Sequence, residues 1–195
     1  MDVYAVIFVS FLMVCGNFKY IREITKGRVV PTKSSWLIFS VVTGLNVSSF
    51  LATRFDVVSG AYGITDFVSN TVILAFALVY SSGVKMQLKS FEKYYLLGAA
   101  VCVLFWIISS NSFVTNLLAQ ALIVVGYFPT IHSILAARKS AESKFAWTIW
   151  TTGSLLSIYP ALVNHNTLAI VYSLRGTILC FTVLMLTCKF QKRGD

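Results

Sequence analysis

Long apolar runs separated by short basic blocks are the feature that most constrains how this chain can fold. A helix of about 20 apolar residues crosses the hydrocarbon core of a bilayer. Only 12% of the 195 residues are charged, which is about half the share in a soluble domain. The sequence therefore predicts an all-α membrane protein with seven transmembrane helices. The apolar runs are residues 3–18, 34–52, 61–82, 94–110, 114–136, 145–163 and 167–188.

The positions of Lys and Arg predict the direction of these helices. With seven helices and the N-terminus outside, the loops that face the cytoplasm hold every basic residue except Arg54 and Arg175. Cytoplasmic loops of membrane proteins are enriched in Lys and Arg. We therefore expect an outer N-terminus and a cytoplasmic C-terminus. The net charge of +9 is then explained by a lipid bilayer as partner, and we expect no binding to nucleic acid. These loops are residues 19–33, 83–93, 137–144 and 189–195.

An internal repeat is the second feature. The stretches GNFKYIREITKGRVVPTKSSWLIFSVVTG and GYFPTIHSILAARKSAESKFAWTIWTTG both begin with Gly-x-Phe and run through a basic block into a Trp-bearing apolar segment. At an offset of about 110 positions, Gly16 matches Gly126 and Phe18 matches Phe128. A three-helix unit that begins outside the membrane ends inside it. A second unit in the same orientation therefore needs one linking helix that returns the chain to the outside. We expect a 3+1+3 arrangement with a first repeat at 1–93, a linker at 94–113 and a second repeat at 114–195.

The chain resembles the SWEET and PQ-loop superfamily of small transporters over nearly its whole length. The resemblance rests on Gly126-Tyr127-Phe128-Pro129-Thr130, the weaker Gly16-Asn17-Phe18-Lys19, the Trp-bearing second helix of each repeat and Asn70. It implies alternating access around a cavity between parallel repeats. Family members move sugars, amino acids, vitamins or nucleosides, and relatives with this fold serve as cargo receptors. The Pro-Gln pair of the family reads Pro129-Thr130 and Lys19-Tyr20 here, so the first repeat lacks its proline.

Arg175 is the basic residue that lies inside a predicted span. It lies about 12 Å along the last helix, and facing lipid there costs at least about 2.5 kcal/mol. It should therefore face a cavity or a partner. Two interpretations stay open: Arg175 binds an anionic substrate group or gates the cavity, or it pairs with Asp66 and fixes the third span against the seventh.

Polar residues in the spans extend this candidate site. Asp66 and Asn70 share one face of the third helix because they lie four residues apart. The resemblance to sugar carriers implies a second Asn in the other repeat, where this chain has Arg175-Gly176. That difference favours a substrate with a carboxylate or phosphate. Asp66 is a charge partner, a cap at the outer surface or a proton-coupling acid, and Asn46 faces the cavity or makes a helix–helix hydrogen bond.

Tryptophans and prolines complete the candidate residues. Trp36, Trp147 and Trp150 lie near the predicted inner ends of the second and sixth spans, where they form either an interfacial aromatic belt or a clamp that stacks on the substrate. Pro129 and Pro160 remove backbone hydrogen bonds and should kink their helices. The kinks are hinges or static bends.

These patterns favour an integral membrane transporter of a small polar solute, such as a sugar, amino acid, carboxylate or vitamin-like molecule. A non-transporting ligand or cargo receptor with the same fold is the alternative. Because the predicted spans hold no Ser-His-Asp set, paired carboxylates or metal-ligand cluster, we expect no enzyme, metal or cofactor. A homo-oligomer stays open. We expect a bacterial inner membrane, with a eukaryotic organelle or plasma membrane as the alternative.

Overall fold

The computed structural model describes residues 2–53, 57–80 and 90–191, and within these ranges every regular element is a helix. The helices in the described ranges are α1 (Asp2–Thr25), α2 (Lys33–Thr53), α3 (Val57–Tyr80), α4 (Ser90–Ser109), α5 (Ser112–Gly126), α6 (Phe128–Ala137), α7 (Lys144–Leu156), α8 (Ile158–Val163) and α9 (Thr167–Phe190). Only Tyr127 separates α5 from α6, and only Ser157 separates α7 from α8. The helices therefore form seven rods.

Five helical segments among the described residues are long and apolar enough to cross a membrane. Two predicted spans fall short of that length, because the apolar part of α4 is Leu96–Ser109 and the sixth rod is divided at Ser157. The prediction of an all-helical, multi-pass membrane protein is confirmed at this coarse level. The count of seven spans and their orientation stay predictions. The five segments are Tyr4–Thr25, Lys33–Ala52, Gly60–Tyr80, Ser112–Ala137 and Thr167–Phe190.

The first helix is longer than its apolar run. The sequence predicts an end near residue 18, yet α1 continues to Thr25. Tyr20 and Ile24 are buried on one side of this extension. On its more exposed side, Lys19 forms an ion pair one turn along with Glu23, at 3.6 Å between Nζ and Oε1. The basic block at 19–33 is therefore part helix, because its apolar residues recur at helical spacing and pack inward.

The helices pack as two triplets with the same internal order. In the first triplet, α3 packs against both α1 and α2. In the second triplet, α9 packs against α5, α6, α7 and α8. Between the triplets, α1 packs on α7 and α2 packs on α5, while α4 packs beside α2 and α5. Apart from the contacts of α4, exchanging the triplets leaves this set of neighbours unchanged, which is the relation expected of two repeats.

Gly16 and Gly126, the first residues of the repeated motif, lie where the triplets approach closely. A Cβ on Gly16 would lie 2.9 Å from Ile149 Cγ2. A Cβ on Gly126 would lie 2.8 Å from Phe39 Cε1 and 3.0 Å from Ile38 Cγ2. Ile38 and Ile149 are themselves separated by about the repeat offset. The Gly-x-Phe motif thus permits equivalent close contacts in both halves, since any larger residue would overlap the facing side chains.

Charge is distributed unevenly between the two ends of the bundle. Contacts along the helices place the first residues of α1, α3, α5 and α9 at the same end. Every described Lys and Arg except Arg175 lies toward the other end, which we call the basic end. Which side of a membrane it faces stays a prediction. The remaining basic residues, Arg54, Lys85, Lys89, Lys192 and Arg193, lie outside the described residues.

Candidate functional site

A helix break lies close to each of the two prolines that were expected to kink a helix. The fifth rod breaks at Tyr127, and Pro129 lies in the first turn of α6. The sixth rod breaks at Ser157, shortly before Pro160 in α8. A proline has no N–H to donate, and its ring clashes with the carbonyl four residues earlier. The breaks follow from this chemistry, and the role of the two prolines as hinges stays a prediction.

A cavity lies between the two triplets in the middle of the bundle, with about 510 Å³ of space when its opening is included. Side chains of α1, α2 and α3 line one side, and side chains of α5, α7 and α9 line the other. We call it the aromatic cavity. The structure brings most of the predicted substrate-binding residues to it. These are Trp36, Asp66, Asn70, Trp147, Trp150 and Arg175.

Aromatic rings close the side of this cavity toward the basic end. Six rings contact one another in a closed circuit, with centroids 4.7 to 6.1 Å apart. Because Trp36, Trp147 and Trp150 belong to this circuit and are buried, a lipid-facing belt is the wrong interpretation of these three residues. The aromatic circuit, in order, is Tyr20, Trp36, Phe39, Tyr127, Trp147 and Trp150.

Two tyrosines, one from each triplet, lie on the opposite side of the aromatic cavity. Tyr62 of α3 and Tyr172 of α9 pack edge to face, with ring centroids 5.4 Å apart. The Tyr172 hydroxyl donates a hydrogen bond to Asp66 Oδ2. Both tyrosines also line a second cavity nearer the opposite end. The tyrosine pair therefore separates the two cavities.

Arg175 reaches the aromatic cavity beside Tyr172. Its Cζ lies 4.6 Å from the centroid of the Tyr172 ring, a cation–π distance. Within the described part of the chain, its buried Nε has no hydrogen-bond acceptor, and no ion pair joins Arg175 to Asp66. Tyr172 contacts both charged groups instead, through its ring and through its hydroxyl. At this point α3 and α9 are therefore linked through a tyrosine rather than by a direct ion pair.

Asn17 is a cavity residue that the sequence analysis did not select. Its Oδ1 accepts a hydrogen bond of 2.9 Å from Trp150 Nε1, and its Nδ2 donates to Ser69 Oγ. It joins α1 to α3 within its own triplet and to α7 of the other. One signal was available, because Asn17 and Tyr127 are the middle residues of the two Gly-x-Phe motifs and both line the aromatic cavity.

The two predicted asparagines lie in different cavities. Asn70 lines the aromatic cavity, and its Nδ2 lies 3.5 Å from Thr43 Oγ1, to which it donates. Asn46 lines the second cavity. Its Nδ2 donates to the Asn116 carbonyl oxygen at 3.5 Å, while Asn116 Nδ2 donates to the Asn46 carbonyl oxygen at 2.9 Å. Asn46 therefore makes a helix–helix hydrogen bond between α2 and α5 and also faces a cavity, though not the one that holds Arg175.

Glu142 joins the triplets at the basic end, in the loop between α6 and α7. It is 5% exposed, and its Oε2 accepts hydrogen bonds from Tyr20 Oη at 2.8 Å and Trp147 Nε1 at 3.1 Å. The Ser140 amide donates to the Phe190 carbonyl oxygen at 3.2 Å, which holds the loop against α9. Burial raises the pKa of Glu142 above its ordinary value, and the hydrogen bonds from Trp147 and Tyr20 oppose that rise.

No protein-family model matches the chain, and no curated protein or solved structure shows significant similarity to it. The resemblance to the SWEET and PQ-loop superfamily therefore stays a prediction from sequence motifs. Among the described residues, no three His, Cys, Asp or Glu side chains are grouped closely enough to hold a metal ion.

Proposed function

We propose that this protein is an integral membrane transporter of a small polar solute, and that the solute binds in the aromatic cavity. The observation that carries the proposal is that both triplets supply polar groups to one cavity. Asn17 and Asn70 come from the first triplet, and Arg175 comes from the second. A solute held by these groups contacts both of the bodies that alternating access would move against each other.

Contacts between the triplets at the two sides of the aromatic cavity support this mechanism. Toward the basic end, Glu142 of the second triplet accepts a hydrogen bond from Tyr20 of the first. Toward the opposite end, Tyr62 packs on Tyr172, whose hydroxyl reaches Asp66. Each set contains a few side chains between two packed units. Either set can therefore separate without disrupting the packing within a triplet, and the solute gains access from one side at a time.

We propose the seven-span, 3+1+3 form of this mechanism, with an outer N-terminus, as in the SWEET and PQ-loop superfamily. The exchange relation between the triplets and the equivalent contacts of Gly16 and Gly126 support it. The location of the described basic residues at one end supports the orientation, since Lys and Arg favour the cytoplasmic side. A bacterial inner membrane is the location that we propose.

A non-transporting receptor is the second candidate. The central hydrogen bond between Asn17 and Trp150 favours it, because this bond joins the triplets at the cavity itself. A receptor would keep that bond in place while it binds its ligand. Transport would require the bond to break or the two triplets to turn about it.

Flux through the purified, reconstituted protein tests the proposal. Proteoliposomes would be assayed for saturable uptake of sugars, amino acids, carboxylates, nucleosides and vitamins. We expect flux of at least one solute, reduced about tenfold in Asn70→Leu, because the variant loses a buried polar contact to the solute. Thr71→Val is the matched control, since Thr71 is exposed on another face of α3 and its hydroxyl donates to the Phe67 carbonyl of its own helix.

The outcomes separate the two candidates. Saturable binding of a solute without any flux would favour the receptor. Flux that Asn70→Leu leaves unchanged would move the transport path away from the aromatic cavity. Absence of both binding and flux in a correctly inserted protein would overturn the proposal.

A further inference from the structure

We infer that the solute bound in the aromatic cavity is a small organic carboxylate. Arg175 would bind its carboxylate group, and the aromatic circuit would contact a planar or apolar body. The inference rests on the proposed function and names the substrate class of the same site.

Among the described residues, two charged side chains line the cavity, and they differ in how fully their hydrogen-bonding groups are engaged. Asp66 already accepts a hydrogen bond from the Tyr172 hydroxyl. Arg175 has five N–H donors to satisfy, yet its buried Nε has no acceptor and no described carboxylate forms an ion pair with it. The cavity therefore has an unused positive donor and an acid that is already engaged. A bound carboxylate supplies the missing acceptor and a direct ion pair together.

Other ligand charges fit this arrangement less well. An ammonium group would have to compete with the Tyr172 hydroxyl for Asp66, and it would be repelled by Arg175. A neutral sugar would leave the guanidinium without a direct ion-pair partner in the cavity. A phosphate dianion needs more positive charge than one arginine provides, and Arg175 is the cation that lines this cavity among the described residues. One carboxylate matches one guanidinium.

The polar groups of the tryptophans indicate the nature of the rest of the ligand. Trp150 Nε1 donates to Asn17 Oδ1, and Trp147 Nε1 donates to Glu142 Oε2. Because both indole N–H groups are engaged by the protein, these rings offer the ligand apolar faces and edges instead of donors. Such surfaces favour aromatic or aliphatic groups over a polyhydroxylated body.

Matched pairs of probes test the charge requirement. Benzoate, phenylacetate and acetate would be compared with benzamide, phenylacetamide and acetamide, which differ from them in carrying a neutral amide. Binding to the purified full chain in detergent would be measured by titration calorimetry. We expect at least one carboxylate to bind tenfold or more tightly than its amide. We also expect Arg175→Gln to abolish the preference and Arg175→Lys to retain part of it.

Lys189→Gln is the control variant, because Lys189 is a cation in the last turn of the same helix. It should leave the preference unchanged. Equal binding of acid and amide, no binding of any carboxylate at millimolar concentration, or a preference that survives Arg175→Gln would overturn the inference. The wild-type comparison alone decides the matter if the Arg175 variants do not fold. Saturable flux of a neutral solute would then leave the transporter proposal standing without this substrate class.

Discussion

Replacing Gly126 by valine is expected to lower the free energy of unfolding by about 3 kcal/mol, near the upper end of the cost of overpacking a core. A Cβ at this position lies 2.8 Å from Phe39 Cε1. The Phe39 ring is held between Trp36 and Tyr127 and has little room to move aside. Thermal unfolding of the purified protein in detergent would measure the loss.

Gly63→Val is the matched control for this substitution. Gly63 also lies inside a helix, but a Cβ there meets Val47 Cγ2 at an ordinary 3.5 Å, and Gly63 lines the second cavity. We expect a change below about 1 kcal/mol for this variant. Equal losses for Gly63→Val and Gly126→Val would show that the close approach of α2 and α5 contributes nothing to stability.

Removing the Glu142 carboxylate is expected to expose the aromatic cavity from the basic end. Glu142→Ala leaves the buried Tyr20 hydroxyl and Trp147 indole without their acceptor, which costs about 1–3 kcal/mol for each group. Since about 1.4 kcal/mol changes a population tenfold, an open arrangement should become at least about ten times more populated. Cys180 reports on opening, because it is buried and lines the cavity.

The measurement is the rate at which N-ethylmaleimide modifies Cys180, with the other cysteines, Cys15, Cys102 and Cys188, replaced by serine. We expect a rate at least about tenfold higher in Glu142→Ala. The increase should be smaller in Glu142→Gln, which keeps an acceptor oxygen. Glu23→Ala is the control, because Glu23 forms an ion pair within one helix. Equal rates in Glu142→Ala and Glu23→Ala would mean that the Glu142 contacts do not close the cavity.

The same assay has an expected pH dependence. Burial raises the pKa of Glu142 in the closed arrangement, so closure favours the protonated carboxyl. The contribution of Glu142 to closure is then fully present at low pH and is lost as pH rises through the raised pKa. The Cys180 rate, divided by that of Glu142→Gln to remove the titration of the thiol, should increase with pH. A ratio that falls with pH would contradict this assignment.

Much of the fold was predictable because the free energy of transferring each residue from water to lipid depends on the type of residue. An apolar run of about 20 residues is stable in a bilayer as a helix, and this property depends on the run alone. The equivalence of Gly16 and Gly126 was also visible in sequence. The end of α1 was not, since charges at Lys19 and Arg22 indicated a loop while Tyr20 and Ile24 packed as a helix.

The candidate site was partly predictable for the same reason. Asp66, Asn70 and Arg175 are costly in a span unless they face a cavity, so sequence alone selected them. Asn46 satisfied the same criterion, yet it lies in another cavity and bonds Asn116. Transfer cost shows that a polar residue must avoid lipid, and it does not show which interior surface the residue faces.

Only the tertiary structure decided which polar groups meet. Tyr20 and Glu142 are 122 positions apart, and Asp66 and Tyr172 are 106 positions apart. Neither pair could be predicted from a local pattern. A hydrogen bond requires about 3 Å between its heavy atoms, and a shift of one residue along a helix rotates the side chain by about 100°. Which side chains meet therefore depends on how the helices pack. The sequence by itself determined that there are apolar helices, and it predicted two related halves and charged residues inside the spans. The rotation and packing of those helices determined that Tyr172 lies between Asp66 and Arg175, and that Arg175 Nε has no acceptor among the described residues.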